Sequence, residues 1–213
     1  MVFLSRRSRR ERDASREIID TAISKQHLTN WGWRKVPVDK SVLGDKAALN
    51  EPVIEQVLIG RPPGMDGDEY ERRLYLARRQ TEYFAQLRGF DDLYIASMSH
   101  RTVVYKGMFV GQQLGRYYKD LHNPKYATSI VVFHQRYSTN TFPSWELAQP
   151  FRFAAHNGEI NTLKGNVNWV SARERALDSD VWNGRLGELG STVDDSGSDS
   201  SQFDNTLDFY VQS

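Results

Sequence analysis

The sequence predicts a mixed α and β fold, and three observations on its 213 residues support that prediction. Apolar side chains recur every three to four residues in several segments, as on the buried face of a helix. Short runs rich in β-branched residues, bounded by glycine and proline, are typical of strands. The composition, 39% hydrophobic and 26% charged, is that of a packed globular chain. Paired strands with helices on both sides are therefore expected.

The composition also excludes several classes of function. The net charge is +1, so no overall field draws the chain to nucleic acid or to an anionic membrane. The arginines at positions 6, 7, 9 and 10 are better explained as the solvated start of a helix. No apolar run approaches the roughly 20 residues that span a bilayer. Because the sequence has no cysteine, it contains no disulfide, thiolate metal ligand or thiol nucleophile.

Two helices and a strand are predicted in the first ninety residues. Residues 10–25 carry apolar side chains at intervals of four, which predicts a helix. Residues 56–60 form a short apolar run closed by a Pro-Pro-Gly turn, which predicts a buried strand. Residues 68–87 predict the clearest helix, with Asp68 able to cap its start and Gly89 suited to the left-handed position after it.

The remaining sequence predicts further strands and helices. Three runs are strand-like because they are rich in apolar and β-branched residues, namely residues 93–97, 101–105 and 127–133. Helical spacing then extends over residues 160–175. Residues 191–201 are rich in Ser, Asp and Gly, which predicts a loop, and a last helix begins near Phe203.

A polar cluster directly follows the predicted strand at residues 127–133. It begins at His134 and contains Arg136, whose planar guanidinium can form two parallel hydrogen bonds with a carboxylate. Polar residues at a strand end are a common place for a binding site. The residue type alone equally allows a structural ion pair, and without further context that simpler reading comes first.

A second cluster contains Asn157 and Gly158. An Asn-Gly pair is a strong signal for a two-residue hairpin turn. Here the residues that follow have helical spacing, which weakens the hairpin reading. The alternative is that the Asn157 amide and the Gly158 N–H lie side by side, as an oxyanion hole requires.

A third cluster surrounds Asp199 and is uninformative alone, since Ser- and Asp-rich loops are usually just solvated. With the other two clusters it suggests a pocket for an amino acid. Arg136 would hold a carboxylate, Asp199 an ammonium, and the donors at Asn157 and Gly158 a developing oxyanion. The sequence offers no nucleophile for this pocket.

Several long strings resemble the large subunit of glutamate synthases, whose glutamine-hydrolysing part is a class II glutamine amidotransferase. The strings are residues 134–145 (HQRYSTNTFPSW), 150–169 (PFRFAAHNGEINTLKGNVNW), 105–108 (YKGM) and 198–204 (SDSSQFD), with a looser likeness at 33–37 (WRKVP). Together they extend over essentially the whole chain. Strings of this length and unusual composition are not expected by coincidence.

The resemblance implies a fold and a reaction. The fold would be α+β, a partial four-layer αββα sandwich of the N-terminal-nucleophile amidotransferase type. In that family an N-terminal cysteine, with its own α-amino group as base, attacks the side-chain amide of glutamine and releases ammonia. A synthase domain then combines the ammonia with 2-oxoglutarate. That domain uses FMN, an iron–sulfur cluster and electrons from a reduced nicotinamide or ferredoxin.

The resemblance also implies roles for individual residues. Arg136 would bind the α-carboxylate of glutamine, and Asp199 would bind its α-ammonium. The Asn157 side chain and the Gly158 N–H would form the oxyanion hole. Thr139 would line the pocket. No residue of this chain is expected to hold a metal or a cofactor.

One feature departs from the family pattern, since the opening segment that carries the cysteine has no counterpart in this sequence. Residues 1–213 are therefore expected to be an incomplete domain, truncated at both ends and inactive alone. Ser201 stands where several other class II amidotransferases carry glutamate, which favours the glutamate synthase branch. Expected partners are glutamine, the missing N-terminal segment, the synthase domain and a small reductase subunit, with no nucleic acid or membrane. The expected location is the cytoplasm, or the plastid stroma for a plant-type enzyme.

Three alternatives stay open. The chain could be a non-catalytic module that binds glutamine without cleaving it. It could also be an interaction piece whose missing part is supplied by another chain. A different class II enzyme, such as an amidophosphoribosyltransferase, is disfavoured by the string at residues 141–145 (TFPSW).

Overall fold

The centre of the molecule is an antiparallel sheet, seen in a computed structural model that describes residues 1–174 and 176–213. Within that range the sheet has four strands in the order β2-β3-β1-β4. The strands are β1 (Val2–Leu4), β2 (Thr29–Lys35), β3 (Val53–Gly60) and β4 (Tyr94–Ile95). The short β1 pairs with β3 on one side and with β4 on the other. The sheet thus pairs residues 2–3 with residues 94–95.

The described part of the chain also contains six α-helices. They are α1 (Arg9–Lys25), α2 (Asp45–Leu49), α3 (Gly67–Leu87), α4 (Gly111–Tyr117), α5 (Leu163–Glu174) and α6 (Asp199–Gln212). The helices predicted at residues 10–25 and 68–87 are confirmed as α1 and α3. The predicted cap of α3 is wrong, because the N–H of Glu69 donates to the side chain of Asp66, at 2.8 Å. Gly89 has the predicted left-handed conformation, with φ of +67°.

The alternation of side chains along β1 separates two apolar cores. Val2 and Leu4 point to the face covered by α1 and α3, where they join one cluster of buried residues. Phe3 points to the opposite face and joins an aromatic cluster with Tyr118 of the α4 region and Trp145. A third cluster lies between α3 and α6 and includes Phe209. Helix α6 therefore packs on α3 rather than on the sheet.

Several predicted strands are wrong or shorter than expected. The run at residues 93–97 forms only the two residues of β4, and residues 101–105 are not a strand. Residues 127–133 are also not a strand, and Ile130 and Phe133 are 78% and 74% exposed. The reason is physical: β-propensity reports packing against neighbouring strands, and none of the described strands pairs with this segment.

The last third of the chain is helical where helices were predicted, with shifted boundaries. Helix α5 begins at Leu163, and the predicted end near Arg175 lies outside the described residues. The loop predicted for residues 191–201 ends early, because Ser198 caps α6 by accepting from the N–H of Ser201 at 3.1 Å. None of the helices in residues 1–174 and 176–213 has the length and apolarity to cross a bilayer.

The mixed α and β class is confirmed. The four-layer sandwich is a finer statement than the described residues support, since they contain a single four-stranded sheet. The second sheet stays a prediction.

Candidate functional site

Asp199 is at the centre of the candidate site, at the first position of α6. It is only 5% exposed. Its Oδ1 accepts from the Ser138 hydroxyl at 2.6 Å and from the N–H of Ser200 at 2.7 Å. Its Oδ2 has two longer contacts, with the Asn140 amide at 3.4 Å and the N–H of Ile160 at 3.3 Å. One oxygen is thus firmly held while the other has only weak partners.

The environment keeps Asp199 negatively charged. Burial by itself raises the pKa of the Asp199 carboxyl, but hydrogen bonds from Ser138 and from the backbone N–H groups of Ser200 and Ile160 outweigh it. The pKa therefore lies below its usual value. The position at the N-terminus of α6 also favours a negative charge, because the helix dipole is positive there.

Gly158 approaches this carboxylate so closely that no side chain would fit. A Cβ atom at this position would lie 2.3 Å from Ser138 Oγ and 2.8 Å from Asp199 Oδ1. Gly158 also has φ of +94°, in the region that favours glycine. The sequence therefore needs glycine here for space and for backbone conformation. This close approach brings the second and third polar clusters together.

The residues beside Gly158 connect the first cluster to the second. The N–H of Thr139 donates to the carbonyl of Asn157 at 3.3 Å, and the Thr139 hydroxyl lies 3.4 Å from Glu159 Oε1. The Asn157 side chain is exposed and has no hydrogen bond to any residue that the structure describes. The N–H of Gly158 donates to Nδ1 of His156, at 3.0 Å. Of the two proposed oxyanion donors, only the Asn157 amide is therefore available to a ligand in this conformation.

Arg136 is exposed at the edge of this arrangement. It forms no ion pair or hydrogen bond with residues 1–174 or 176–213. A structural ion pair was the simpler explanation of this arginine, and the described residues supply none. Contacts therefore join Ser138, Thr139, Asn157, Gly158 and Asp199, whereas Arg136 lies two residues before Ser138 and forms no hydrogen bond or ion pair with them.

The partners of Asp199 were not predicted from the sequence. Ser138 and Asn140 both donate to its carboxylate, and Ser200 donates its hydroxyl to the carbonyl of His156 at 2.9 Å. No local pattern could have indicated them, because nearly all residues from His134 to Asn140 are polar. The separation of 61 residues between Ser138 and Asp199 hid the pairing itself.

The site has no features of a metal or cluster centre. Among the described residues, no three His, Cys, Asp or Glu side chains are grouped so that they could hold a metal ion. The whole sequence lacks cysteine, the usual ligand of iron–sulfur clusters. A cluster therefore does not fit the residues of this chain.

The sequence of this chain is similar to one protein family and to several known proteins. The sequence pattern of the class-II glutamine amidotransferases matches residues 1–213. The chain is 40% identical over 211 residues to the glutamate synthase (NADPH) large chain of Azospirillum brasilense, covering 99% of this chain and 14% of that protein. It is 44% identical over 213 residues to ferredoxin-dependent glutamate synthase 2 of Synechocystis, covering all of this chain and 13% of the relative. A chloroplastic ferredoxin-dependent glutamate synthase of Spinacia oleracea is 39% identical over 214 residues, again across the whole chain and 13% of the relative.

Proposed function

The chain belongs to the class-II glutamine amidotransferases, and we propose that it is the glutamine-binding part of a glutamate synthase. The observation that carries this proposal is the junction of Asp199, Ser138 and Gly158, a buried carboxylate beside a glycine that leaves room for no side chain. A fixed negative charge at Asp199, and an exposed guanidinium at Arg136 two residues before Ser138, suit a zwitterionic amino acid.

Each end of glutamine would have a partner in this site. The α-ammonium would bind Oδ2 of Asp199, whose two present contacts are long and leave capacity for a stronger donor. The α-carboxylate would bind Arg136, whose exposed guanidinium has no partner among the described residues. Thr139, joined to Asn157 by a backbone hydrogen bond, would line the pocket.

The side-chain amide of glutamine would lie against Asn157 and Gly158. As the carbonyl carbon becomes tetrahedral, its oxygen gains negative charge, which the Asn157 amide and the Gly158 N–H would stabilise. That N–H now donates to the ring of His156. The His156 side chain is exposed, so a rotation about its side-chain torsions can release the donor at modest cost.

Cleavage itself needs a nucleophile that this sequence lacks, since none of the 213 residues is cysteine. In a complete glutamate synthase an N-terminal cysteine would form a thioester with the glutamyl group. Ammonia would leave, and water would then release glutamate. We infer that this chain alone binds glutamine without hydrolysing it.

The remaining features belong to the parent protein and are part of the proposal. The four-layer sandwich would be completed by a second sheet. The chain spans 13–14% of the length of the relatives it matches, so FMN, the iron–sulfur cluster and the nicotinamide or ferredoxin donor would serve other domains. The synthase domain and a small reductase subunit would be its partners. A cytoplasmic or plastid-stromal location is proposed, the latter supported by relatives whose names place them in the chloroplast.

Titration calorimetry of this chain with glutamine tests the proposal. We expect Arg136→Lys to weaken glutamine binding about tenfold or more, because a single ammonium cannot replace the two parallel bonds of a guanidinium. The matched control is Arg61→Lys, which changes an exposed arginine in the turn after β3 and should leave the affinity unchanged. Equal affinities for glutamine in all three proteins would contradict the assignment of Arg136. The same samples should release no ammonia from glutamine above the level of an Arg136→Ala variant, and release above that level would refute the inferred inactivity.

A further inference from the structure

The segment of residues 152–160, which carries the proposed oxyanion donors, is held by α6 at three points. Asp199 and Ser200 contact its second half, as described above. The third contact is made by Asp204, more than one helical turn further along α6, at the start of the segment. One helix thus contacts both ends of the segment.

Asp204 holds the start of the segment through the backbone. Its carboxylate is fully buried and accepts three successive N–H groups, from Arg152 at 3.2 Å, Phe153 at 2.7 Å and Ala154 at 2.8 Å. The same turn is closed by the N–H of Phe151, which donates to the carbonyl of Ala154 at 2.9 Å. Three backbone donors that converge on one carboxylate leave this turn little freedom.

The turn is also tied to the rest of the molecule through a side chain. The guanidinium of Arg152 lies 3.9 Å from Asp204. It donates to the carbonyl of Ile95 in β4 at 2.6 Å and to Glu82 in α3 at 3.1 Å. Arg152 therefore joins the segment to the sheet and to α3, while Asp204 joins it to α6.

We propose that Asp204 is a positioning residue that sets where Asn157 and Gly158 present their donors to the substrate. This inference rests on the proposed function, since it gives those two donors a role with glutamine. Asp204 is buried at the far end of the segment, so it acts through the backbone of residues 152–154. Because stabilisation of an oxyanion depends on donor positions within a fraction of an ångström, loss of this anchor should reduce turnover more than binding.

A purely structural role would have a different signature. If Asp204 mattered only as a counter-ion for Arg152, then Asp204→Asn and Asp204→Ala would be equally harmful, because both remove the charge. If its hydrogen bonds matter, Asn should be milder, since its carbonyl oxygen can keep the bonds from Phe153 and Ala154 that Oδ1 accepts. The matched control is Asp208→Asn, which removes a buried carboxylate on the same helix that pairs with Arg78 instead.

Steady-state glutamine hydrolysis by a full-length glutamate synthase carrying this domain tests the role in turnover. We expect Asp204→Ala to lower kcat about 10- to 100-fold, with a KM for glutamine within about twofold of the parent value. The kcat of Asp204→Asn should lie between those of the parent and of Asp204→Ala. Asp208→Asn should keep both kcat and KM near the parent values. Equal losses in the Asn and Ala variants, or a KM that rises as kcat falls, would overturn the proposal.

Amide hydrogen exchange of the 213-residue chain without glutamine gives a second, independent readout. Asp204→Asn should speed exchange in residues 152–158 while α3 keeps its protection. This measurement on the Asn variant tests the role of Asp204 even if the Ala variant does not fold. Unchanged exchange in residues 152–158 would overturn the proposal. A parent protein that neither binds nor hydrolyses glutamine would instead refute the proposed function, with the exchange result unaffected.

Discussion

At the scale of the residue, the site depends on the absence of a Cβ atom at Gly158. The carboxylate of Asp199 and the hydroxyl of Ser138 occupy the space in which a Cβ atom would lie. The amino-acid pattern indicated that Asn157 and Gly158 are site residues, but it could not indicate which side chains pack against them. That information depends on a contact with α6, about forty residues further along the chain.

We expect Gly158→Ala to abolish glutamine binding and to lower the free energy of unfolding by about 1–3 kcal/mol. The cause is twofold: a φ of +94° is strained for alanine, and the added Cβ atom would lie 2.3 Å from Ser138 Oγ. Urea unfolding and calorimetric titration measure the two effects. The control Gly115→Ala lies within α4 with open space around it and should instead stabilise by roughly 0.5–1 kcal/mol. Similar behaviour of the two variants would show that the close packing at Gly158 has been misjudged.

At the scale of the element, local patterns were sufficient for helices and insufficient for strands. Helices α1 and α3 each bury one face, and that face is visible as a repeat of three to four residues. The three residues of β1 give no such signal, although they form an inner strand. Residues 127–133 give a strong strand signal and form no strand. Whether a run of residues pairs depends on distant neighbours, which a local pattern does not contain.

Helix α3 also carries a charge network with a predictable response to acid. Burial raises the pKa of Glu82, but Arg78, Arg152 and Arg79 outweigh it and lower that pKa from its usual 4.5 to about 2. Because the pKa of the folded state is depressed, the stabilisation is fully present above pH 4.5 and is lost as the pH falls toward 2.

We therefore expect Glu82→Gln to be less stable at neutral pH and to lose less further stability between pH 4.5 and 2 than the parent chain. Urea midpoints measured across that range give the comparison. Glu17→Gln, which removes an exposed carboxylate from α1, should leave the profile unchanged. Parallel profiles for the parent and Glu82→Gln would mean that the arginines do not hold this carboxylate as described.

At the scale of the whole molecule, a cluster of apolar side chains remains uncovered. Ile130, Val131, Val132 and Phe133 are 78%, 70%, 58% and 74% exposed. The N–H groups of residues 131–133 have no hydrogen-bond partner among the described residues. An extended apolar segment with free backbone groups is the usual starting point of edge-to-edge association.

We expect this chain to self-associate at micromolar concentration and the double substitution Ile130→Lys with Val132→Lys to suppress it. Sedimentation velocity at several concentrations gives the measurement. Leu49→Lys, which replaces a single exposed leucine at the end of α2, should have little effect. Strong hydrogen-exchange protection of residues 129–133 in a soluble monomer would contradict this expectation.

Helix α6 follows the sheet and α3 in chain order, which has a consequence for synthesis. During synthesis the sheet and α3 leave the ribosome first, while the segment with Asn157 and Gly158 follows without its anchors. Until the whole of α6 emerges, Arg78 and Arg152 lack Asp208 and Asp204, and the aromatic rings of the third cluster lack Phe209. A nascent chain paused before α6 would therefore be a natural client for chaperones, and it would become competent to bind glutamine only after α6 has emerged.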